Sequence, residues 1–334
     1  MELGWRQTAS KKIAKVPVKR IAEGFGKIFL SCCRYLILIG ISYLMIYPVL
    51  TMLAQAFSNP MDLYNETMTW IPKNPTFMNF TNAVESYFDY FKHLKITLSA
   101  ALISTGLSLI VCPLAAYGQA RYRFKGNGLL FALVILTIIV PIQTAQIPLY
   151  LEYQEFDFFG LGTLIGKITG KPLVFNLLNT NWVYYVPAAF GVGLYSGLYI
   201  FLFRQFFKGM PKDLEDAGKV DGCTRLGIYL RIIAPNAKPV FVTVFLLSMI
   251  NYWNDTVISG MFLNSTEAQP LMIYVDILSS SIVERSSVFG LYGVMGSQAE
   301  IMACLVMVVG PLMILFIICQ KFFVESMDRS GIKG

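Results

Sequence analysis

Asn251, Asn254, Asp255 and Ser259 recur at i, i+3, i+4 and i+8 inside an otherwise apolar run. On an unbroken helix that spacing places all four on one face. Amides, a hydroxyl and a carboxylate together offer donors and acceptors to whatever polar group passes a bundle interior or wet cavity. The same groups also serve as glue between helices, and both readings stay open at this point. Trp253 falls on the opposite side of such a helix, which suits packing or lipid contact. A second polar cluster, Gln143, Thr144 and Gln146, follows Pro141 in another apolar run. Proline removes a backbone hydrogen bond and bends or breaks a helix, and polar side chains beside the break can satisfy the groups it frees.

A third cluster is PKDLEDAGKVDGCTRLGIYLRIIAPNAKP, residues 211–239. Pro211 suits a first helical turn, and Asp213, Glu215 and Asp216 favour its positive end. Asp221-Gly222 signals a turn, and Pro235 should stop the helix that follows. Ala217, Gly218, Gly222 and Cys223 are small and let another surface approach the backbone. Two short helices bent at Asp-Gly make a compact knob, read either as a docking point or as a hairpin resting on lipid headgroups. Catalytic chemistry is poorly served. The single histidine, His93, rules out multi-histidine zinc sites, the six cysteines form no C-x-x-C, and no metal or disulfide is expected. The nearest miss to a phosphate-binding loop, 161–168, lacks the first glycine and ends Gly-Lys-Ile, so the chain should not hydrolyse ATP.

The elements that must carry these clusters are membrane helices. Of 334 residues, 55% are apolar and only 14% charged, against roughly 25% charged in soluble proteins. Mean hydropathy is +0.58. Six segments reach the length of about 20 apolar residues that a crossing requires: 35–57, 94–117, 129–151, 186–206, 239–261 and 301–323. Tracts such as LLFALVILTIIV do not alternate as barrel strands do, so each is expected to be a helix. The fold class is therefore all-α and integral to the membrane, with six spans.

Charge placement orients them. The arm 1–34, the turn at 121–125, the stretch 204–238 and the tail from 321 hold 21 of the 27 basic residues. The three remaining loops, with the flanking helix ends, hold six basic and 12 of the 20 acidic residues. Basic loops stay in the cytoplasm, so both termini and the 208–238 knob are expected there. The net charge of +7 then matches an anionic inner leaflet, and nucleic acid drops out as a partner. Ala54-Gln55-Ala56 resembles a cleavage site, yet the apolar run before it is longer than a signal peptide's, so an uncleaved first helix is favoured. Asn82-x-x-Glu85 and Ser297-x-x-Glu300 read as capping boxes, the first opening an aromatic helix with Tyr87, Phe88, Tyr90 and Phe91. The glycine-punctuated loop 152–185 reads as an outer excursion, and Thr97, Ser104, Ser108 and Cys112 as a small-residue packing stripe.

Glu215-Asp-Ala217, Asp221-Gly222 and Ile233-Ala-Pro235 resemble the EAA loop of ABC-importer permeases, with Asp216 for the first alanine and Ala234 where leucine is common. The resemblance runs from about residue 35 to the end. It includes LAAYGQARYRFKG, FLFRQFFKGMPKDLEDAGKVDGC, NYWND and the tail FFVESMDRSGIKG, which is similar to that of carbohydrate permeases of the maltose-system type. It implies an arm 1–34, a six-helix transmembrane domain 35–326 with a coupling loop 208–238, and a cytoplasmic tail 327–334. It also implies a non-catalytic subunit of a bacterial plasma membrane, paired with a second permease and moved by two ATPase subunits. Those ATPases would bind ATP and Mg, and an extracytoplasmic binding protein would deliver a sugar. Glu215, Asp216, Ala217, Gly218, Asp221, Gly222 and Pro235 are the coupling residues it implies. Asn251, Asn254, Asp255, Ser259, Gln143 and Thr144 are the candidates for the path. A non-sugar or acidic polysaccharide cargo is the alternative, but it should recruit Lys or Arg into the passage, and the interiors of the spans carry none. A secondary transporter would need an ion site, for which Asp255 stands alone.

Overall fold

The computed structural model describes residues 18–331, except 65–70, 87–88, 159, 172 and 287–289. Among them there is no strand, only two isolated bridges, and every regular element is a helix. Four stretches are long and apolar enough to cross a membrane: Phe29–Ala56, Tyr90–Arg121, Lys238–Phe262 and Gln298–Lys321. The first lies in α1 (Val18–Ala56), the last in α15 (Gly290–Gly331).

A short α2 (Met78–Ser86) precedes α3 (Tyr90–Arg121), the central helix. Thr97, Ala100, Ala101, Ser104, Thr105, Ser108, Cys112 and Ala116 are all buried along α3. Small side chains at this spacing let neighbouring backbones come close, which is how helices pack where lipid offers no hydrophobic drive. The expected packing stripe is therefore present.

The third expected span breaks where proline predicts. α4 (Asn127–Ile139) ends, Val140 and Pro141 are extended, and a 3₁₀ turn (Ile142–Ala145) leads into α5 (Gln146–Gln154). The two halves meet at 95°. Thr144 Oγ1 and the Thr144 N–H both donate to the Pro141 carbonyl, at 2.8 and 3.1 Å. A further helix, α6 (Leu161–Thr169), stands in the following excursion.

The fourth expected span, 186–206, is not one helix. α7 (Trp182–Ala189) ends at Phe190, and α8 (Ser196–Gly209) starts only after Tyr195, whose φ is +57°. Gly191 at φ +72° turns the chain between them. At 14 residues α8 is too short to cross alone.

Beyond the knob, α12 (Lys238–Trp253) and α13 (Val257–Phe262) are separated by Asn254–Thr256, and α14 (Leu271–Ser286) precedes α15. The capping boxes do not form as expected. Asn82 lies inside α2, where Thr76 Oγ1 instead accepts the Met78 N–H at 3.1 Å. α15 starts at Gly290, ahead of Ser297, and Glu300 Oε1 accepts from Asn82 Nδ2 at 3.2 Å, joining α2 to α15. In both cases the helix extends past the apolar run that suggested its start. Tyr87 and Phe88 of the expected aromatic helix lie outside the described residues, while Tyr90 and Phe91 open α3.

The core has two centres. One gathers Tyr184, Met249, Tyr252, Trp253, Phe262 and Leu271, among others. The other gathers Tyr117, Tyr199, Phe203, Phe207, Tyr229 and Ile233 beneath the knob.

Candidate functional site

The knob consists of α9 (Asp213–Val220), a turn, and α10 (Arg225–Ile228) running into a π-helical segment (Tyr229–Ile233) and α11 (Ala234–Asn236). Three acidic residues occupy the first turn of α9, where the helix dipole favours them. Gly222 adopts φ +75° and ends the Asp221-Gly222 turn, a backbone state that costs other L-residues about 1–2 kcal/mol. Thr224 then caps α10 by accepting the Gly227 N–H at 3.1 Å. Gly218 is the buried hinge of the pair. A Cβ there would come within 2.6 Å of Ile232 Cδ1 and 3.1 Å of Ile228 Cγ1, so α9 sits this close to α10 and the π segment because Gly218 lacks one.

Pro235 does not stop the second helix. Tyr229–Ile233 widens to a π turn, with the Ala234 N–H bonded to the Tyr229 carbonyl, and Pro235 continues inside α11. Asn236 Nδ2 donates to the Ile232 carbonyl at 2.7 Å. The chain turns only at Ala237, which leads directly into α12. The widened turn absorbs the missing proline N–H, which is why a helix breaker sits inside helical backbone here.

Glu215 is bound within the chain. Its Oε1 lies 2.8 Å from Arg121 Nε at the end of α3, and the two side chains are only 12% and 5% exposed. The pair is aligned as charges and not as a hydrogen bond, since neither atom has a hydrogen-bond partner. Arg121 Nη2 donates to the carbonyl of Met210, the C-cap residue of α8, at 2.9 Å. Arg225 lies over the Tyr122 ring at 5.6 Å, and Tyr229 packs on Tyr117 at 5.1 Å and Phe207 at 6.4 Å. The knob is thus clamped to α3 and α8 by one ion pair and an aromatic cluster. Its outward surface bears Ala217, Val220, Asp221, Gly222 and Leu226, all exposed. Asp216 is also exposed and pairs with Lys219 at 2.7 Å. The hydrogen bond and charge of Lys219 hold the Asp216 carboxyl below the usual range, and Asp216 raises Lys219 in return.

The four polar residues of the fifth span do not share a helical face. α12 ends at Trp253, so Asn251 belongs to α12, Asn254 is an exposed cap, and Ser259 belongs to α13. Asp255 causes the break. It is 7% exposed, and its Oδ1 accepts the Ile258 N–H at 3.2 Å. Its Oδ2 accepts the Ser259 N–H and hydroxyl, both at 2.9 Å, and the Tyr184 hydroxyl at 2.8 Å. A short carboxylate that can bond to nearby backbone N–H groups favours a helix start over a helix interior. Asn251 Nδ2 donates to the Tyr199 hydroxyl at 3.0 Å. Trp253 is packed, with its Nε1 donating to the Val308 carbonyl of α15 at 3.2 Å. Gln143 and Thr144 are exposed at the bend after Pro141.

A cavity of about 410 Å³ opens between α5, α7 and α12, lined by Tyr153, Phe156, Tyr184, Phe190 and Tyr252. Tyr184 joins its wall to Asp255. The sequence singled out neither this cavity nor the Arg121–Glu215 pair. Arg121 reads only as one of three loop cations, and nothing in local spacing announces a partner 94 positions away.

The chain is 30% identical over 263 residues to the arabinooligosaccharides transport system permease protein AraQ of Bacillus subtilis, covering 79% of this chain and 81% of that protein. It is 25% identical to the sulfoquinovosyl glycerol transport system permease protein SmoH of Agrobacterium fabrum, covering 86% and 89%. Its fold matches a chain from the crystal structure of a bacterial ABC transporter involved in the import of the acidic polysaccharide alginate. That match has a TM-score of 0.69 and 19% identity, and covers 89% of this chain and 98% of that one. The family model for the binding-protein-dependent transport system inner membrane component matches residues 108–329, a stretch holding the knob, the broken fifth span and most of α15, and the chain belongs to that family of multi-pass membrane proteins.

Proposed function

We propose that this chain is the permease subunit of a bacterial plasma-membrane ABC importer for a neutral sugar or oligosaccharide. It pairs with a second permease, is fed by an extracytoplasmic binding protein, and is driven by two ATPase subunits that bind ATP and Mg. The chain itself performs no catalysis. The observation that carries this reading is the knob: two helices locked at Gly218, clamped to α3 by Arg121–Glu215, with a small, open surface at Ala217, Asp221 and Gly222. Such a body moves as one piece when an ATPase cleft grips it. Two relatives support a neutral carbohydrate cargo by name: the arabinooligosaccharides permease AraQ and the probable starch degradation products permease AmyC of Thermoanaerobacterium thermosulfurigenes.

Six crossings with both termini in the cytoplasm follow from the charge pattern, with α8 completing the fourth together with the turn and α7. The domain limits are an arm at 1–34, a transmembrane domain at 35–326 and a tail at 327–334. Movement of the knob reaches the membrane through Tyr229, Tyr117 and Phe207 and then through α3, whose small stripe packs against α8 and α12. At the far end of α12 lies the Asn254–Thr256 break. Asn254, Gln143 and Thr144, exposed at the two broken spans, face the passage, with Asn251 behind them. Asp255 and Ser259 hold the break in shape. An acidic cargo would need cations there, and these six residues include none.

The test is reconstitution with the second permease, the ATPases and the binding protein, followed by uptake of arabinan- and starch-derived oligosaccharides. Gly222→Asp should abolish uptake while the subunit still inserts. Normal uptake by that variant would refute the docking role.

A further inference from the structure

The excursion after α5 is a closed module. Phe156 and Phe175 exchange two backbone hydrogen bonds of 2.9 Å each. Asp157 caps the turn that enters α6: Oδ1 accepts the Gly160 N–H and Oδ2 the Thr163 hydroxyl, both at 2.7 Å. These bonds hold its carboxyl below the usual range. The glycine edge of α6 packs inward. The Leu173 N–H donates to the Gly162 carbonyl at 3.2 Å, and a Cβ on Gly162 would lie 2.0 Å from the Leu173 carbonyl oxygen, so only glycine fits.

This packing fixes which way the rest of the helix points. Leu161, Leu164, Ile165 and Ile168, at i, i+3, i+4 and i+7, form one stripe turned away from the glycine edge. They are 59%, 55%, 41% and 82% exposed. Lys167 borders the stripe on its other flank, and Lys171 follows the helix. A nine-residue helix held by the Asp157 turn and the returning chain at Leu173 does not leave four aliphatic side chains in water without a partner.

We propose that α6 is an interfacial helix seated in the outer leaflet of the bilayer, with Lys167 and Lys171 reaching headgroup phosphates. Three observations choose lipid over protein. The stripe is wholly aliphatic, whereas the anchors of a protein interface are enriched in Trp, Tyr and Arg. Exposed apolar side chains also stand on the segments either side of it, with Ile147 and Leu151 of α5 at 74% and 60%, and Phe158, Leu173 and Phe175 in the excursion. Both cations near it are exposed, while the nearest carboxylate, Asp157, is occupied by its cap; Glu155 stays at the neck. An apolar edge flanked by lysine is the pattern that lies in a membrane surface. The outer side rests on the orientation proposed above.

Single cysteines replace Thr163, Leu164 or Ile168 in the full importer complex, with the parent's labelling subtracted. A membrane-impermeant maleimide is applied to intact spheroplasts. Thr163→Cys should react at least about tenfold faster than Leu164→Cys and Ile168→Cys, whose side chains lie in lipid. In proteoliposomes, an environment-sensitive fluorophore at 164 or 168 should be quenched by shallow spin-labelled phospholipid, with or without the binding protein. Equal reactivity at all three positions overturns the proposal. So does protection without lipid quenching, which would mean that a protein covers the stripe. If Thr163→Cys reacts only after lysis, the orientation falls and the outer-leaflet placement with it, while lipid quenching still reports the seat itself. ATPase activity equal to the parent's shows that each variant has assembled.

Discussion

Arg121 and Glu215 show how much one pair can decide. Both are buried, so removing either leaves an uncompensated charge away from water. Arg121→Ala should destabilise the knob by about 3–5 kcal/mol, read as a lower melting temperature of the complex and as proteolysis between 211 and 239. Asp255 carries a different weight. Asp255→Ala strips the caps of α13 and orphans the Tyr184 hydroxyl, costing about 1–2 kcal/mol. Asp255→Asn should keep most of that stability, because its carbonyl still accepts. A direct sugar ligand would instead raise the KM for uptake in both variants, so thermal melts and transport kinetics together separate the roles. Asp216 offers a check by pH. Lys219 lowers its folded pKa, so the bond contributes above the ordinary carboxylate value of about 3.9 and is lost as pH falls through the lower folded value. An NMR titration of labelled Asp216 should show that midpoint, and Lys219→Ala should move it up.

Among the elements, the bends were legible where one residue type forces them and illegible where neighbours do. Pro141 lacks an N–H and α4 ends before it, a bend or break that the chain alone offered, although Pro48, Pro113 and Pro311 stay inside α1, α3 and α15. Pro235 has the same chemistry, yet the π turn over Tyr229–Ile233 accommodates it and helical backbone runs on. The gap between α12 and α13 was hidden because Asn254 and Asp255 fit an apolar run by period, and only the contact with Tyr184 on α7 shows the carboxylate committed to a cap. Gly218 tests the knob as an element. Gly218→Ala asks the flexible end of Ile232 to move and Ile228 Cγ1 to give slightly, and should cost about 1 kcal/mol. Gly218→Leu should force α9 from α10 at about 1–3 kcal/mol and abolish ATPase stimulation by the binding protein while the subunit remains in the membrane. Gly222→Asp meets open space but takes on about 1–2 kcal/mol of backbone strain at φ +75°, so a loss of transport belongs to the docking surface where the complex melts as the parent does.

For the molecule as a whole, orientation is the decisive property. Reporter fusions should place 211–239 and the carboxyl end inside the cell and 155–175 outside, and the purified chain alone should show no ATP turnover. Composition and the alternation of basic loops were enough to establish a multi-pass helical membrane protein, since the cost of burying backbone polar groups and the pull on Lys and Arg act on local sequence and need no partner. The knob's turn was equally local, because Asp221-Gly222 permits a conformation that few other pairs do. Only the tertiary structure decided that Glu215 is held by Arg121, that Asp255 is spent on a cap, that 186–206 is broken, and that α6 turns an aliphatic edge outward. Arg121–Glu215 and Tyr184–Asp255 join residues far apart in the chain, whose spacing along the sequence carries no trace of the distance between them in space, and the break and the outward edge rest on backbone conformation and packing that periodicity does not record.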